Sequence, residues 1–231
     1  MDKIKVENVS HYYQDGMKMK KVLNDISCEF ESGKFYAILG ESGSGKTTLL
    51  SLLSGLDTVI EGNIYFNDKT IKEIGYNNYR LNNVNVIFQS YNLIPYMTAV
   101  ENVITSMDIM KLKIDDKRKE ALRLLNELNI DNLSADRSVL KLSGGEQQRV
   151  AIARSLVGDV PFIMADEPTD NLDEETEEKI IEIFKKLVKS GKGVIVVTHS
   201  KKVAESADVV YRIKGGDIIS ISVVIICIKE C

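Results

Sequence analysis

A basic excess is the first thing this sequence lacks. Its 231 residues carry 30 Lys and Arg against 34 Asp and Glu, a formal net charge of −4. A chain whose main partner is a polyanion usually carries a cationic surplus. Nucleic-acid binding as the main task is therefore disfavoured, although a local basic patch is not. Cysteine is also scarce. Cys28, Cys227 and Cys231 have neither metal-ligand spacing nor an even-numbered framework, so they read as reduced thiols of a cytosolic protein. The opening "MDKIKVENVS" has no apolar signal core. The longest apolar-rich run, residues 218–228, is 11 residues with two serines, short of the roughly 20 that span a bilayer. The expectation is a chain that does not itself cross a membrane. No repeat or low-complexity linker divides it.

What is present is ordinary globular material, 44% hydrophobic and 28% charged, in a length that can bury a large core. "KIKVENVSHYY" alternates as a strand does. "FYAILG", residues 35–40, is a short apolar run stopped by Gly, and "KTTLLSLLSGL" after it has helical spacing. "GNIYFND" reads as strand and turn, and "NVNVIFQ" as a strand ended by Gln89. Residues 99–140 read as a helical lobe. Within them "DDKRKEALRLLNELNI" puts Ala121, Leu122, Leu125 and Leu128 on one face of a helix, with charges opposite. Then come the helix "EQQRVAIARSLV", the buried strand "VPFIMAD", the helix "EETEEKIIEIFKKLVKS", the strand "GVIVVTH", the short helix "KKVAESA" and the hairpin "VVYRIKGGDIISISVV". Apolar strands alternating with helices predict an α/β fold whose parallel sheet is covered on both faces.

"GESGSGKT", residues 40–47, satisfies G-x-x-x-x-G-K-[ST] in full. Its glycines let backbone N–H groups turn inward around phosphate oxygens. Lys46 supplies a mobile positive charge, the Thr47 hydroxyl can bind Mg²⁺, and the following helix points its positive end at the same place. The nucleotide-binding set is Gly40, Ser42, Gly43, Ser44, Gly45, Lys46, Thr47 and Thr48. "FIMADEP" ends a buried strand on two carboxylates. Asp166 can hold Mg²⁺ through water, and Glu167 is placed to polarise an attacking water as general base. His199 closes another strand on the same edge of the sheet and can donate a hydrogen bond to a γ-phosphate. Gln89 can ligate Mg²⁺ through its amide oxygen and orient water.

"KLSGGEQQRV", residues 141–150, has no acid, base or nucleophile of catalytic type. As plain structure it is a helix start with a capping box, Ser143 followed three positions on by Glu146.

Together these motifs resemble the ABC-transporter ATP-binding subunits. The resemblance runs from about Lys3 to about Ile219. It includes Tyr13 in an adenine-stacking position, "GESGSGKT", Gln89, "LSGGEQQ", "FIMADEP", "NLD" with Asp173, and His199, in the family order. It implies a P-loop core with a mostly parallel sheet, an N-terminal antiparallel β part and a helical lobe. The chain 1–231 would be one ATPase domain, with a nucleotide-binding core at 1–98 and 141–220, the lobe at 99–140 and an atypical tail at 221–231. ATP and Mg²⁺ would be its cofactors. In the family two subunits pack head to tail around two ATP molecules. Ser143, Gly144 and Gly145 would then serve the nucleotide of the partner copy, Ser143 through its hydroxyl and the glycines by close backbone approach. Asp173 joins the nucleotide-binding set on the same grounds.

"QSYNLIPYMTAVENV", residues 89–103, resembles the group serving macrolide and antimicrobial-peptide exporters, lipoprotein release and cell division. There Gln89 and exposed Leu93, Ile94 and Pro95 would form the groove for a short helix of a transmembrane permease. The implied protein is cytoplasmic, held at the inner face of the membrane by that permease, and it powers export or extraction of peptide, drug or lipid-type substrates. The alternative is a signalling module of the cell-division type, which regulates a membrane partner without transport. A soluble cassette acting on ribosomes or DNA fits less well, because no second cassette, long insertion or basic surface is evident. Two departures stand out. Asp170 in "PTDNLD" occupies a position where the family usually has a small neutral residue, which adds negative charge beside the Mg²⁺ site or the dimer seam. The run 218–231 reads as an edge strand of poor solubility, with Cys227 and Cys231 open to oxidation.

Overall fold

Apolar residues in unbroken runs become strands buried on both faces, and these strands form the centre of the molecule. The computed structural model describes residues 1–16, 18–170 and 172–223. In chain order its elements are β1 (Lys3–Asp15), β2 (Lys18–Glu31), β3 (Phe35–Leu39), α1 (Lys46–Leu53), β4 (Glu61–Phe66), β5 (Lys69–Thr70), α2 (Ile71–Ile74), α3 (Tyr76–Asn82), β6 (Val84–Ile87), α4 (Ala99–Ile109), α5 (Lys117–Glu127), α6 (Asn132–Ala135), α7 (Gly144–Ser155), β7 (Phe162–Asp166), α8 (Glu174–Lys189), β8 (Gly193–Thr198), α9 (Lys201–Ser206), β9 (Val209–Lys214) and β10 (Asp217–Val223). One sheet has the order β2-β1-β4-β5 and the other β10-β9-β3-β8-β7-β6. The first is antiparallel. In the second, β9, β3, β8, β7 and β6 run parallel and β10 joins the edge antiparallel.

The parallel strands send alternate residues into two different cores. Phe35 and Ala37, Ile163 and Ala165, and Val194 and Val196 pack with residues of α4, α5, α7 and α8. Tyr36 and Ile38, Phe162 and Met164, and Ile195 and Val197 pack with α1 and the antiparallel sheet. The expected cover on both faces is therefore helices on one side and a second sheet on the other. Both cores are built of buried apolar side chains, and the pairing of β3 with β8 and of β8 with β7 holds their carboxyl ends side by side.

Several local expectations change. Strand β2 has no clear period in the sequence, because its buried Leu23 and Ile26 lie three apart. Asp25 between them takes φ 49°, and the pairing with β1 shifts register there. Helix α1 stops at Leu53, ahead of Leu56, because Gly55 turns left-handed at φ 67°. On α5 the core positions are Ala121, Leu124 and Leu125, with Leu128 just beyond. Leu122 only packs against that core from its margin. Strand β6 ends at Ile87, so Gln89 lies in the turn that follows. The edge-strand reading of the tail holds through Val223. Cys227 and Cys231 lie outside the described residues.

Candidate functional site

Between β3 and α1 the chain wraps into a cradle whose glycines have different reasons to be there. A Cβ on Gly40 would sit 2.4 Å from the Ile213 carbonyl oxygen, and one on Gly45 would sit 2.8 Å from that of Val22. Both positions are closed by packing against β9 and β2. Gly43 has φ +75° and nothing within 4 Å of the missing Cβ, so bare backbone faces open space. Gly216, in the β9–β10 turn, donates its N–H to the Ser44 carbonyl at 3.1 Å and braces the cradle from outside.

The cradle is rich in unspent donors. Helix α1 starts at Gly45 with no side-chain cap, whereas α4, α5, α7, α8 and α9 are all capped by side chains. The first-turn N–H groups of α1 have no intrahelical acceptor and carry the positive end of the helix dipole. Ser44 Oγ is buried without a hydrogen-bond partner among the described residues. Lys46 is 7% exposed, and its Nζ donates to the carbonyls of Gly40 at 2.9 Å and Glu41 at 3.1 Å. An anion with several oxygens, such as a polyphosphate, is what these groups fit.

Carboxylates stand opposite. Strand β7 ends on Asp166, whose Oδ1 accepts from Thr47 Oγ1 at 3.3 Å. Burial pushes the Asp166 carboxyl above its ordinary pKa, while the Thr47 bond works the other way. Glu167 takes φ 45°, a left-handed conformation costing about 1–3 kcal/mol for a residue with a Cβ. Its N–H is tied to the Val197 carbonyl at 2.9 Å. Its Oε1 lies 3.6 Å from Lys46 Nζ. Its Oε2 accepts from the His199 backbone N–H at 3.1 Å and sits 3.0 Å from His199 Nδ1. Gln89 Nε2 donates to Asp170 Oδ2 at 2.8 Å, and Asp170 Oδ1 is 4.0 Å from His199 Nε2.

The result is a cavity of about 290 Å³ lined by Val22, Ser42, Gly43, Gly45, Lys46, Thr47, Thr48, Gln89, Glu167, Asp170 and His199. Asp166 joins it through Thr47, and Gly40 through Lys46. Among the described residues no three His, Cys, Asp or Glu side chains form a metal site by themselves. The oxygens of Thr47, Asp166 and Gln89 suit a hard cation that takes its remaining ligands from phosphates and water. Val22 carries no motif and was not legible. Asp170 was noticed only as a departure, and the structure places it inside the cavity.

Other expected residues stand apart from this cavity. Tyr13 is half-exposed on β1. Its hydroxyl donates to Asp57 at 3.4 Å, and its ring meets His11 edge-on at 4.8 Å. Ser143 and Gly144 are exposed at the start of α7. Ser143 Oγ accepts from the Glu146 N–H at 3.3 Å and the Ser143 backbone N–H donates to Glu146 Oε2 at 2.8 Å, which completes the capping box, and Oγ also donates to that carboxylate oxygen. A Cβ on Gly145 would sit 2.7 Å from Thr176 Cγ2. Asp173 caps α8 by accepting from the Thr176 N–H at 2.9 Å.

The loop after Gln89 corrects one expectation. Leu93 is not an exposed groove residue, because it packs against the helical core. Ile94 is half-buried and Pro95 is exposed, while Tyr96 is 94% exposed. Ile94 lines a groove of about 340 Å³ with Asn85, Phe88, Asn102 and Ile109 among others. Buried Asn102 holds the Ile94 backbone at both ends, accepting from its N–H at 2.8 Å and donating to its carbonyl at 3.2 Å. Arg154 of α7 donates to the carbonyls of Tyr91 and Asn92, two residues at positive φ.

Comparison with known proteins agrees with this geometry. Residues 23–170 match the family described as ABC transporter. The chain is 44% identical over 217 residues to the uncharacterized ABC transporter ATP-binding protein YclH of Bacillus subtilis, covering 94% of this chain and 95% of YclH. It is 37% identical over 222 residues to the macrolide export ATP-binding/permease protein MacB of Mannheimia succiniciproducens, covering 95% of this chain but only 34% of MacB. The solved dimeric structure of the ATP-binding cassette MJ0796, in a post-hydrolysis state bound to ADP and Pi, superposes with TM-score 0.89 at 35% identity, over 95% of this chain and 98% of that one.

Proposed function

Because this chain belongs to the ABC transporter family as an ATP-hydrolysing cassette, we propose that it powers a separate transmembrane permease by closing and opening as a head-to-tail homodimer. The observation that carries this reading is the convergence of Lys46, Thr47, Glu167, His199 and Gln89 on one donor-rich cavity. The cradle N–H groups and Lys46 hold the β- and γ-phosphates. Thr47, Asp166 and Gln89 would hold Mg²⁺, which would supply charge neutralisation to the phosphates. Glu167 takes the proton of the attacking water, its carboxylate already aimed by Lys46 and by the His199 backbone. His199 is 64% exposed and offers its ring to the γ-phosphate. Tyr13 stacks on the adenine.

Ser143, Gly144 and Gly145 do not line their own chain's cavity, so in this reading they clamp the partner's nucleotide, and Asp173 acts at the same seam. The cassette of MJ0796 is dimeric by its own description. The loop at Gln89, Ile94, Pro95 and Tyr96 receives the permease, with Leu93 anchoring it from below. Likeness to MacB favours export of a peptide, drug or lipid-type substrate. No helix among the described residues is long and apolar enough to cross a membrane, so the cassette sits at the membrane through its permease.

Glu167→Gln is the direct test. The variant should bind MgATP, lose hydrolysis on the order of 10²–10⁴-fold, the usual worth of a general base, and accumulate as an ATP-bound dimer in size-exclusion chromatography. Hydrolysis at the wild-type rate would remove Glu167 from this role.

A further inference from the structure

We propose that Asp170 is a positioning residue that orients the Gln89 amide toward the divalent cation. The proposal rests on the cassette reading above and deepens it. The argument starts from what a carboxylate can do. It only accepts hydrogen bonds, so a side-chain amide placed against it must present its NH₂ group. Gln89 Nε2 donates to Asp170 Oδ2 at 2.8 Å. That choice leaves Oε1 as the atom Gln89 can offer elsewhere, and Oε1 is the atom a hard cation takes. Without the carboxylate, the two ends of the amide are nearly isosteric, and either could turn to the cavity.

Asp170 is well fixed for this work. Its own N–H donates to the Glu167 carbonyl at 3.2 Å, so the carboxylate is carried on the same turn as the proposed base. Its second oxygen lies 4.0 Å from His199 Nε2, while Glu167 stands 3.0 Å from His199 Nδ1. One carboxylate thus reaches both Gln89 and His199, which come from the ends of different strands. Gln89 also begins the loop that carries Ile94, Pro95 and Tyr96. Asp170 therefore ties that loop to the phosphate cavity through one hydrogen bond. Groups that hydrogen-bond a metal ligand from behind set its orientation, and losing them typically costs 10–100-fold in metal affinity or activity.

The test uses the whole chain and a fluorescent, non-hydrolysable ATP analogue, titrated with Mg²⁺ and separately in EDTA. Asp170→Ala should raise the Mg²⁺ concentration needed for tight binding by about tenfold, and leave binding in EDTA unchanged or tighter, since a negative charge is gone. Asp170→Asn can turn either end of its own amide to Gln89 and should fall between wild type and Asp170→Ala. In a Gln89→Ala background, Asp170→Ala should add nothing further. An undiminished Asp170→Ala effect when Gln89 is absent would assign the effect to charge and overturn the proposal. So would no Mg²⁺ shift at all. Failure of the wild-type chain to bind the analogue would instead overturn the cassette reading. Thermal melting of each variant identifies loss through misfolding, and where Asp170→Ala misfolds, Asp170→Asn compared in the wild-type and Gln89→Ala backgrounds carries the test.

Discussion

Helix α1 begins at Gly45 with no side-chain cap, and α7 begins at Ser143 with a complete one. Both are glycine-lipped helix starts with the same positive dipole end. The first is enclosed: Lys46 is buried, two strands and a hairpin turn pack around the loop, and carboxylates stand across a cavity. The second faces solvent, and its hydroxyl is occupied by Glu146. Burial beside chemistry lets the first present an anion cradle built from its own chain's groups. Exposure leaves the second open to another molecule, as the proposed clamp on a partner's nucleotide requires. Glycine content alone does not separate the two cases. What surrounds the helix start does.

The sharpest break of this comparison is a pair of single substitutions. Lys46→Ala should lower ATP turnover on the order of 10³-fold or more and weaken nucleotide binding by the monomer. Ser143→Ala should lower turnover less, on the order of tenfold, and leave monomer binding unchanged. Turnover assays beside equilibrium binding at low protein concentration check this. Equal loss of monomer binding in both variants would place the two helix starts at one nucleotide.

Mixing sharpens the same contrast. Chains carrying Lys46→Ala and chains carrying Ser143→Arg each form homodimers with two damaged sites. A mixed dimer has one site where both halves are intact. With Glu167→Gln added to both chains to stop turnover, an equal mixture should trap several-fold more MgATP than the parents measured separately, since about half of the dimers are then mixed and each of those has one intact site. A mixture that traps no more than its parents would remove the trans role of Ser143.

The smallest expected effect uses an anion alone. Inorganic pyrophosphate at ten times its dissociation constant should raise stability by about 1.4 kcal/mol, a few degrees in melting temperature. Lys46→Ala should abolish that shift and Ser143→Ala should keep it. Persistence of the shift in Lys46→Ala would mean that the ion binds outside the α1 cradle.

Sequence carried these two regions to different depths. The cradle was legible because a polyphosphate needs backbone N–H groups, and only glycines at set spacing let backbone turn inward. Asp166, Glu167 and His199 were legible because each follows an apolar run, which places it at the end of a buried strand. The capping box at Ser143 was equally plain. Strand β2 was hidden by one left-handed Asp25 that breaks the alternation. Val22 contributes to the cavity through backbone packing, which has no residue signature. Leu93 was expected to be exposed because the family resemblance placed it in a groove, while Asn102 and Arg154, distant in sequence, pin the backbone of this loop and Leu93 packs partly against the helical core. Asp170 stood out as unusual, but its partner Gln89 lies 81 positions away, and only the fold brings them together.

Strand β3, which leads into the phosphate cradle, hydrogen-bonds to β8 on one side and β9 on the other, and Gly216 braces the cradle itself. The cradle therefore leaves the ribosome before the strands and the turn that support it. Domains made in this order hold their long-range contacts open until synthesis nears completion. A nascent chain halted before Gly193 has the whole P-loop motif but neither flanking strand, and β3 offers two unpaired apolar edges. Such a chain cannot pre-form its nucleotide site and is prone to sticking to others like it. Only a polypeptide translated through the β9–β10 turn acquires the fully braced cradle.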